Sequence, residues 1–139
     1  MVGIIAISHG PFSKALIKSV EMVYGKQDKV EAISLDPGES MESLKNKINE
    51  IIKKFQVNEV LIMVDLLGGT PYNASSIEME NSNINVITGL NMPMILDTLL
   101  YRNETLKKIS SIATEAGKNG IVNVKERFDN LNKLKDNKR

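Results

Sequence analysis

The chain has 139 residues, a single histidine, no cysteine, no tryptophan and a formal net charge of +1. That length fits one domain, which typically holds about 100–150 residues, and it suffices to bury a core without covalent staples. The missing cysteines exclude a disulfide framework and a thiolate metal site, while interspersed charges and 4% aromatic content argue against the basic field and stacking platform of a nucleic-acid binder.

Met1-Val-Gly-Ile-Ile-Ala-Ile-Ser8 is apolar but lacks the basic flank and small-residue cleavage site of a leader. No later run reaches the roughly 18 apolar residues of a membrane span, so a soluble, cytoplasmic protein is expected. Val2–Ser8 reads as a strand covered on both faces. Pro11 opens a helix to about Tyr24, with Phe12, Ala15, Leu16, Val20 and Val23 on one face and Gly25 as its stop. Val30–Leu35 is a second strand, Asp36-Pro-Gly38 a turn, and Ser40 the cap of the next helix. In that helix Met41, Leu44, Ile48, Ile51, Ile52 and Phe55 trace an amphipathic stripe, which is read as core.

Val60–Val64 is a third strand, ending at Asp65, and a helix follows Leu66–Asn73 to about Glu80. Ile84–Ile87 is the fourth strand. The Gly89–Pro93 loop opens a helix with Met92, Ile95, Leu96, Leu99 and Leu100 on one side. A further helix runs from Glu104 to Ala116, bracketed by Gly117 and Gly120. Ile121–Val124 reads as a short fifth strand, and residues 125–139 as a polar tail or loosely packed helix with Phe128, Leu131 and Leu134 at spacings of three. This alternation predicts an α/β three-layer sandwich around a mainly parallel sheet.

A flavodoxin-like order 2-1-3-4 makes strands 1 and 3 neighbours and puts the ligand crevice at their C-terminal ends. Strand 1 ends in Ser8-His9-Gly10 and strand 3 in Asp65, so the one histidine and an aspartate arrive at the same crevice. A neutral imidazole offers one nitrogen as nucleophile while a carboxylate holds the other N–H and faces the charge that develops on attack. That chemistry fits phosphoryl acceptance by His9, oriented by Asp65. Gly68-Gly69-Thr70-Pro71 can turn backbone N–H groups toward an anion at a helix start. Thr70 either caps that helix or offers its hydroxyl to the phosphoryl group, and the sequence leaves both open. Leu67, Leu90, Met92 and Pro93 lie on loops at the same edge, where they either form an apolar docking rim or pack beneath the loops. No Gly-Lys-Ser/Thr nucleotide grip, no esterase elbow and no metal-ligand cluster is present, so no cofactor is expected.

Three segments carry a resemblance: Gly3-Ile-Ile-Ala-Ile-Ser-His-Gly10 with Phe12-Ser-Lys-Ala-Leu16, then Val64-Asp-Leu-Leu-Gly-Gly-Thr-Pro-Tyr-Asn73, then Thr88-Gly-Leu-Asn-Met-Pro-Met94. In this order and spacing the chain resembles the mannose-family IIA domain of the bacterial phosphoenolpyruvate-dependent sugar phosphotransferase system, over residues 1–124. The resemblance implies that His9 is phosphorylated, that Asp65 is its partner, and that Gly68, Gly69 and Thr70 sit beside the phosphoryl group. It implies HPr as donor and a IIB component, on a separate polypeptide, as acceptor. It also implies an indirect partner in a IIC/IID membrane permease, with peripheral association to that complex, and a homodimer that in some members exchanges a C-terminal strand, here Ile121–Val124. Leu67 stands where some relatives carry an aromatic side chain. The phosphotransfer subunit of dihydroxyacetone kinase shares the Ser-His but continues without Gly-Gly-Thr-Pro, so it ranks second. A receiver-like signalling domain ranks lower, because strand 1 ends in Ser8-His9 and not in the acidic pair that holds magnesium.

Overall fold

The structure is a computed structural model and describes residues 1–137. Four strands, β1 (Gly3–His9), β2 (Val30–Leu35), β3 (Val60–Val64) and β4 (Ile84–Thr88), form one sheet in the order β2-β1-β3-β4. Every pairing is parallel, as the alternation requires. The helices are α1 (Phe12–Tyr24), α2 (Met41–Phe55), α3 (Thr70–Ser76), α4 (Met92–Leu100), α5 (Leu106–Asn119) and α6 (Val124–Asn137), with one 3₁₀ turn at Ile77–Glu80.

The two faces of the sheet bury two cores. Ile4, Ala6, Leu61 and Met63 pack with Ile17 and Val20 of α1, Ile95 of α4, and Ile109 and Ala113 of α5. Ile5, Ile7, Ile62 and Val64 pack with Leu44, Ile48 and Phe55 of α2 and Ala74 of α3. β1 and β3 are therefore sandwiched on both sides, which is why they read as unbroken apolar runs. Each buried Ile, Leu, Val, Met or Phe side chain contributes about 1.5–3 kcal/mol of transfer free energy, and together they hold the strand ends that carry the site.

Several elements depart from the sequence reading. The inward face of α1 is Ser13, Ile17 and Val20, while Phe12 and Val23 are exposed. The helix is rotated because Ser13 enters the interior with its hydrogen bonds made: its hydroxyl donates to Ile33 O at 2.9 Å, and its N–H donates to Ser8 Oγ at 2.7 Å. α5 runs through Gly117 and reaches Asn119. Its glycines permit close packing, because a Cβ on Gly117 would lie 3.0 Å from Met94 Cε and one on Gly120 2.5 Å from Pro93 Cγ.

The expected fifth strand is absent. Ile121, Val122 and Asn123 have no regular structure, and Val124 opens α6. Asn123 decides this locally, since its Oδ1 accepts from Glu126 N–H at 3.1 Å and caps the helix. α6 buries none of its residues. Among the described residues, no helix is long and apolar enough to cross a membrane.

Candidate functional site

Parallel registration of β1 with β3 sets Ile7 against Val64, and Asp65 N–H donates to Ile7 O at 3.1 Å. His9, two residues beyond Ile7, and Asp65, the residue after Val64, therefore meet at the C-terminal edge. Asp65 Oδ2 accepts from the His9 main-chain N–H at 2.9 Å and lies 2.9 Å from His9 Nδ1. An ionised carboxylate only accepts, so Nδ1 carries the proton and Nε2 keeps its lone pair in the neutral ring. The imidazole is about half exposed (48%), whereas the Asp65 side chain is 18% exposed. The second carboxylate oxygen, Oδ1, is buried and has no hydrogen-bond partner among the described residues.

Nε2 faces the turn after β3. A Cβ on Gly69 would lie 3.4 Å from it, so the Gly69 backbone closes one side of this nitrogen. Gly68 and Gly69 have φ of +91° and +85°, in a region that disfavours side chains. Gly69 occupies the cap position of α3, and Thr70 is the first helical residue. No side-chain cap bond forms there, which removes capping from the two roles left open for Thr70, a half-buried residue at the end of the turn.

The remaining residues at this edge divide by burial. Leu67 is exposed (70%), and so are its neighbour Leu66 and Phe12, the first residue of α1. Leu90 is 5% exposed and belongs to the first core; its N–H donates to Val64 O at 3.0 Å, which draws the loop inward. It therefore cannot line a docking rim. Met92 packs partly on the same core, and Pro93 is half-buried near Gly120. Sequence reasoning missed exposed Phe12 because its spacing fits the apolar face of α1, and Leu66 because it singled out only the neighbouring Leu67. The one signal was an unbroken Leu-Leu pair in a glycine-rich loop.

Beyond β2, the turn at Asp36–Glu39 adds a compact ionic knot. Glu39 accepts from Lys47 Nζ, from Asp36 N–H and from the Ser43 hydroxyl at 2.7–2.9 Å. The Lys47 bond, followed by those from Asp36 and Ser43, holds the Glu39 carboxyl down to about 2. Among the described residues no group of three or more histidines, cysteines or carboxylates is disposed to hold a metal ion.

Residues 3–114 match the family model EIIA-man, described as PTS system fructose IIA component. The mannose-specific EIIAB component of the PTS in Escherichia coli (strain K12) is 34% identical over 128 residues, covering 89% of this chain; the chain spans only 40% of that protein's length. The fructose-specific EIIA component of Bacillus subtilis (strain 168) is 34% identical over 110 residues, 78% of this chain and 75% of that protein. The crystal structure of a phosphotransferase system component EIIA from Streptococcus agalactiae superposes with a TM-score of 0.84 at 30% identity, over 91% of this chain and 99% of that one. On these matches, and on the fold that accompanies them, the chain belongs to the EIIA-man family of PTS IIA components.

Proposed function

We propose that this chain is a phosphohistidine carrier of a sugar phosphotransferase system, taking a phosphoryl group on His9 from phospho-HPr and giving it to a IIB component. The observation that carries the reading is the 2.9 Å contact between His9 Nδ1 and Asp65, which leaves Nε2 as the free nucleophile against the Gly69 backbone. In the transfer, the Nε2 lone pair forms a new N–P bond as the donor's N–P bond breaks. The donor imidazole keeps that electron pair. The proton on His9 Nδ1 stays in place, and the Asp65 carboxylate faces the positive charge the ring acquires. The reverse sequence of bond changes passes the group to the acceptor.

Little covalent rearrangement is asked of the protein, so positioning and charge stabilisation carry the rate. Backbone N–H groups around Gly68, Gly69 and Thr70, with the Thr70 hydroxyl, are the groups available to phosphoryl oxygens. The half-exposed ring suits a reaction in which the donor is another protein's side chain. Exposed Phe12, Leu66 and Leu67 would seat that partner. The sugar is chosen downstream, at the acceptor and a IIC/IID permease, beside which the carrier would work in the cytoplasm. Incubation with phosphoenolpyruvate, the general phosphocarrier proteins and HPr should place an acid-labile phosphoryl group on the wild type and none on His9→Gln. Equal labelling of both would remove His9 from the account.

The chain also pairs with a second copy in this reading, because Ile121, Val124, Phe128, Leu131 and Leu134 are all more than half exposed on one terminal arm. Sedimentation should give a dimer for the wild type and a lighter species for Phe128→Asp with Leu131→Asp. A monomeric wild type would contradict the pairing.

A further inference from the structure

The buried hydroxyl of Ser8 joins three chain segments directly beneath His9. Ser8 is wholly buried. Its Oγ donates to Gly10 O at 3.0 Å and accepts from Ser13 N–H at 2.7 Å. Ser13 is the second residue of α1, and the residue at the cap position, Pro11, brings no side-chain cap. Ser8 therefore supplies, from the strand, the acceptor that the helix start lacks. The loop between them is His9-Gly10-Pro11. Gly10 turns through φ +60°, its N–H donates to Leu35 O at 2.9 Å, and its carbonyl is held by Ser8.

These bonds bracket His9 on both sides. Its own N–H is tied to Asp65, the His9–Gly10 peptide is tied to β2 through Gly10 N–H, and the next peptide, Gly10–Pro11, is tied to β1 through the Ser8 hydroxyl. The ring position against Gly69 thus depends on where the two peptides flanking Gly10 sit. From this geometry we infer that Ser8 is a positioning residue for phosphoryl transfer, its hydroxyl fixing the Gly10–Pro11 peptide that follows His9 so that Nε2 is aligned for in-line attack. The inference rests on the reading of His9 as acceptor. Without the hydroxyl, Gly10 O and Ser13 N–H lose a partner in a water-poor place and the loop must shift to recover one. A displacement on the order of 1 Å at a reacting atom can lower a transfer rate about a hundredfold.

Ser13 provides the control. Its hydroxyl points to β2 and bonds Ile33 O, so Ser13→Ala removes a buried hydrogen bond from the same helix start yet leaves both Ser8 bonds intact. The experiment is rapid-quench transfer from phospho-HPr to the full chain, comparing wild type, Ser8→Ala, Ser8→Thr, Ser13→Ala and His9→Gln, with the folded fraction of each read by circular dichroism. Ser8→Ala should lose tenfold or more in kcat with KM for the donor within about twofold, Ser8→Thr should recover most of the rate, and Ser13→Ala should stay within about twofold of wild type. Wild-type kcat in folded Ser8→Ala, or an equal loss in Ser13→Ala, would overturn the positioning role. If Ser8→Ala does not fold, Ser8→Cys is read in its place, its thiol being a weaker donor and acceptor, and an unchanged kcat there overturns the inference equally. Failure of the underlying reading shows separately, as labelling of His9→Gln.

Discussion

Asp65 holds His9 twice through one oxygen: Oδ2 takes both the main-chain N–H and the ring Nδ1 of His9, each at 2.9 Å, while Oδ1 is buried and has no partner among the described residues. The backbone bond fixes where the residue begins, and the ring bond fixes which nitrogen is free. Asp65→Asn keeps the size but adds an N–H donor. With that donor toward the ring, Nδ1 becomes the acceptor and the proton moves to Nε2, where it blocks attack. Transfer measured by rapid quench should fall about 10²–10⁴-fold while urea unfolding shifts by about 1 kcal/mol or less. Unchanged transfer would remove Asp65 from the mechanism.

Gly68 and Gly69 separate backbone strain from proximity to the nucleophile. Both have positive φ, so alanine at either should cost about 1–2 kcal/mol of stability. Only at Gly69 does the new methyl meet the ring, 3.4 Å from Nε2; at Gly68 nothing lies within 4 Å. Gly69→Ala should therefore slow phosphorylation of His9 at least tenfold more than Gly68→Ala, after correction for the folded fraction. Equal rates for the two variants would show that the Gly69 backbone does not border the reaction.

Leu67 and Leu90, left by the sequence as either rim or packed residues, part company in the structure. Leu90→Ala should lower the unfolding free energy by about 2–5 kcal/mol, as loss of a core side chain does. Leu67→Ala should leave stability within about 0.5 kcal/mol and raise KM for phospho-HPr about 5–30-fold, the loss of one exposed apolar contact of about 1–2 kcal/mol. A stable Leu90→Ala, or an unchanged KM for Leu67→Ala, would contradict this division.

Glu39 gives a pH signature. Its folded carboxyl titrates at about 2, below the ordinary glutamate value of about 4.3, so the unfolded chain binds more protons over that interval. The stabilisation is complete above about pH 5 and is lost as pH falls toward 2. Glu39→Gln should accordingly be less stable than wild type by about 1.5–3 kcal/mol at pH 7, and the gap should close by pH 2 in urea titrations. A gap independent of pH would show that the Lys47, Asp36 and Ser43 bonds do not depend on the charge of Glu39.

The order 2-1-3-4 was legible only as a common one for this number of strand-helix units, not from the apolar runs, which mark only which strands are doubly covered; given that order, parallel pairing leaves His9 and Asp65 at one edge. The rotation of α1 was not legible, since Phe12 and Val23 look more interior than Ser13. Only the partners Ser8 and Ile33, brought close by tertiary structure, make a buried serine favourable. Ile121–Val124 misled in the opposite way. Three of its four side chains are apolar, but Asn123 inside it caps α6, and a local hydrogen bond outweighed composition. Leu90 and Leu67 lie on similar loops, and only the Leu90 N–H bond to Val64 O distinguishes the one drawn into the core.

The measurement that bears most directly on the account is NMR of ¹⁵N-histidine protein after phosphorylation by phospho-HPr. With one histidine, the spectrum holds one imidazole. The account predicts a ³¹P–¹⁵N coupling on Nε2, with Nδ1 still protonated against Asp65. A phosphoryl group on Nδ1, or on any residue other than His9, would contradict it.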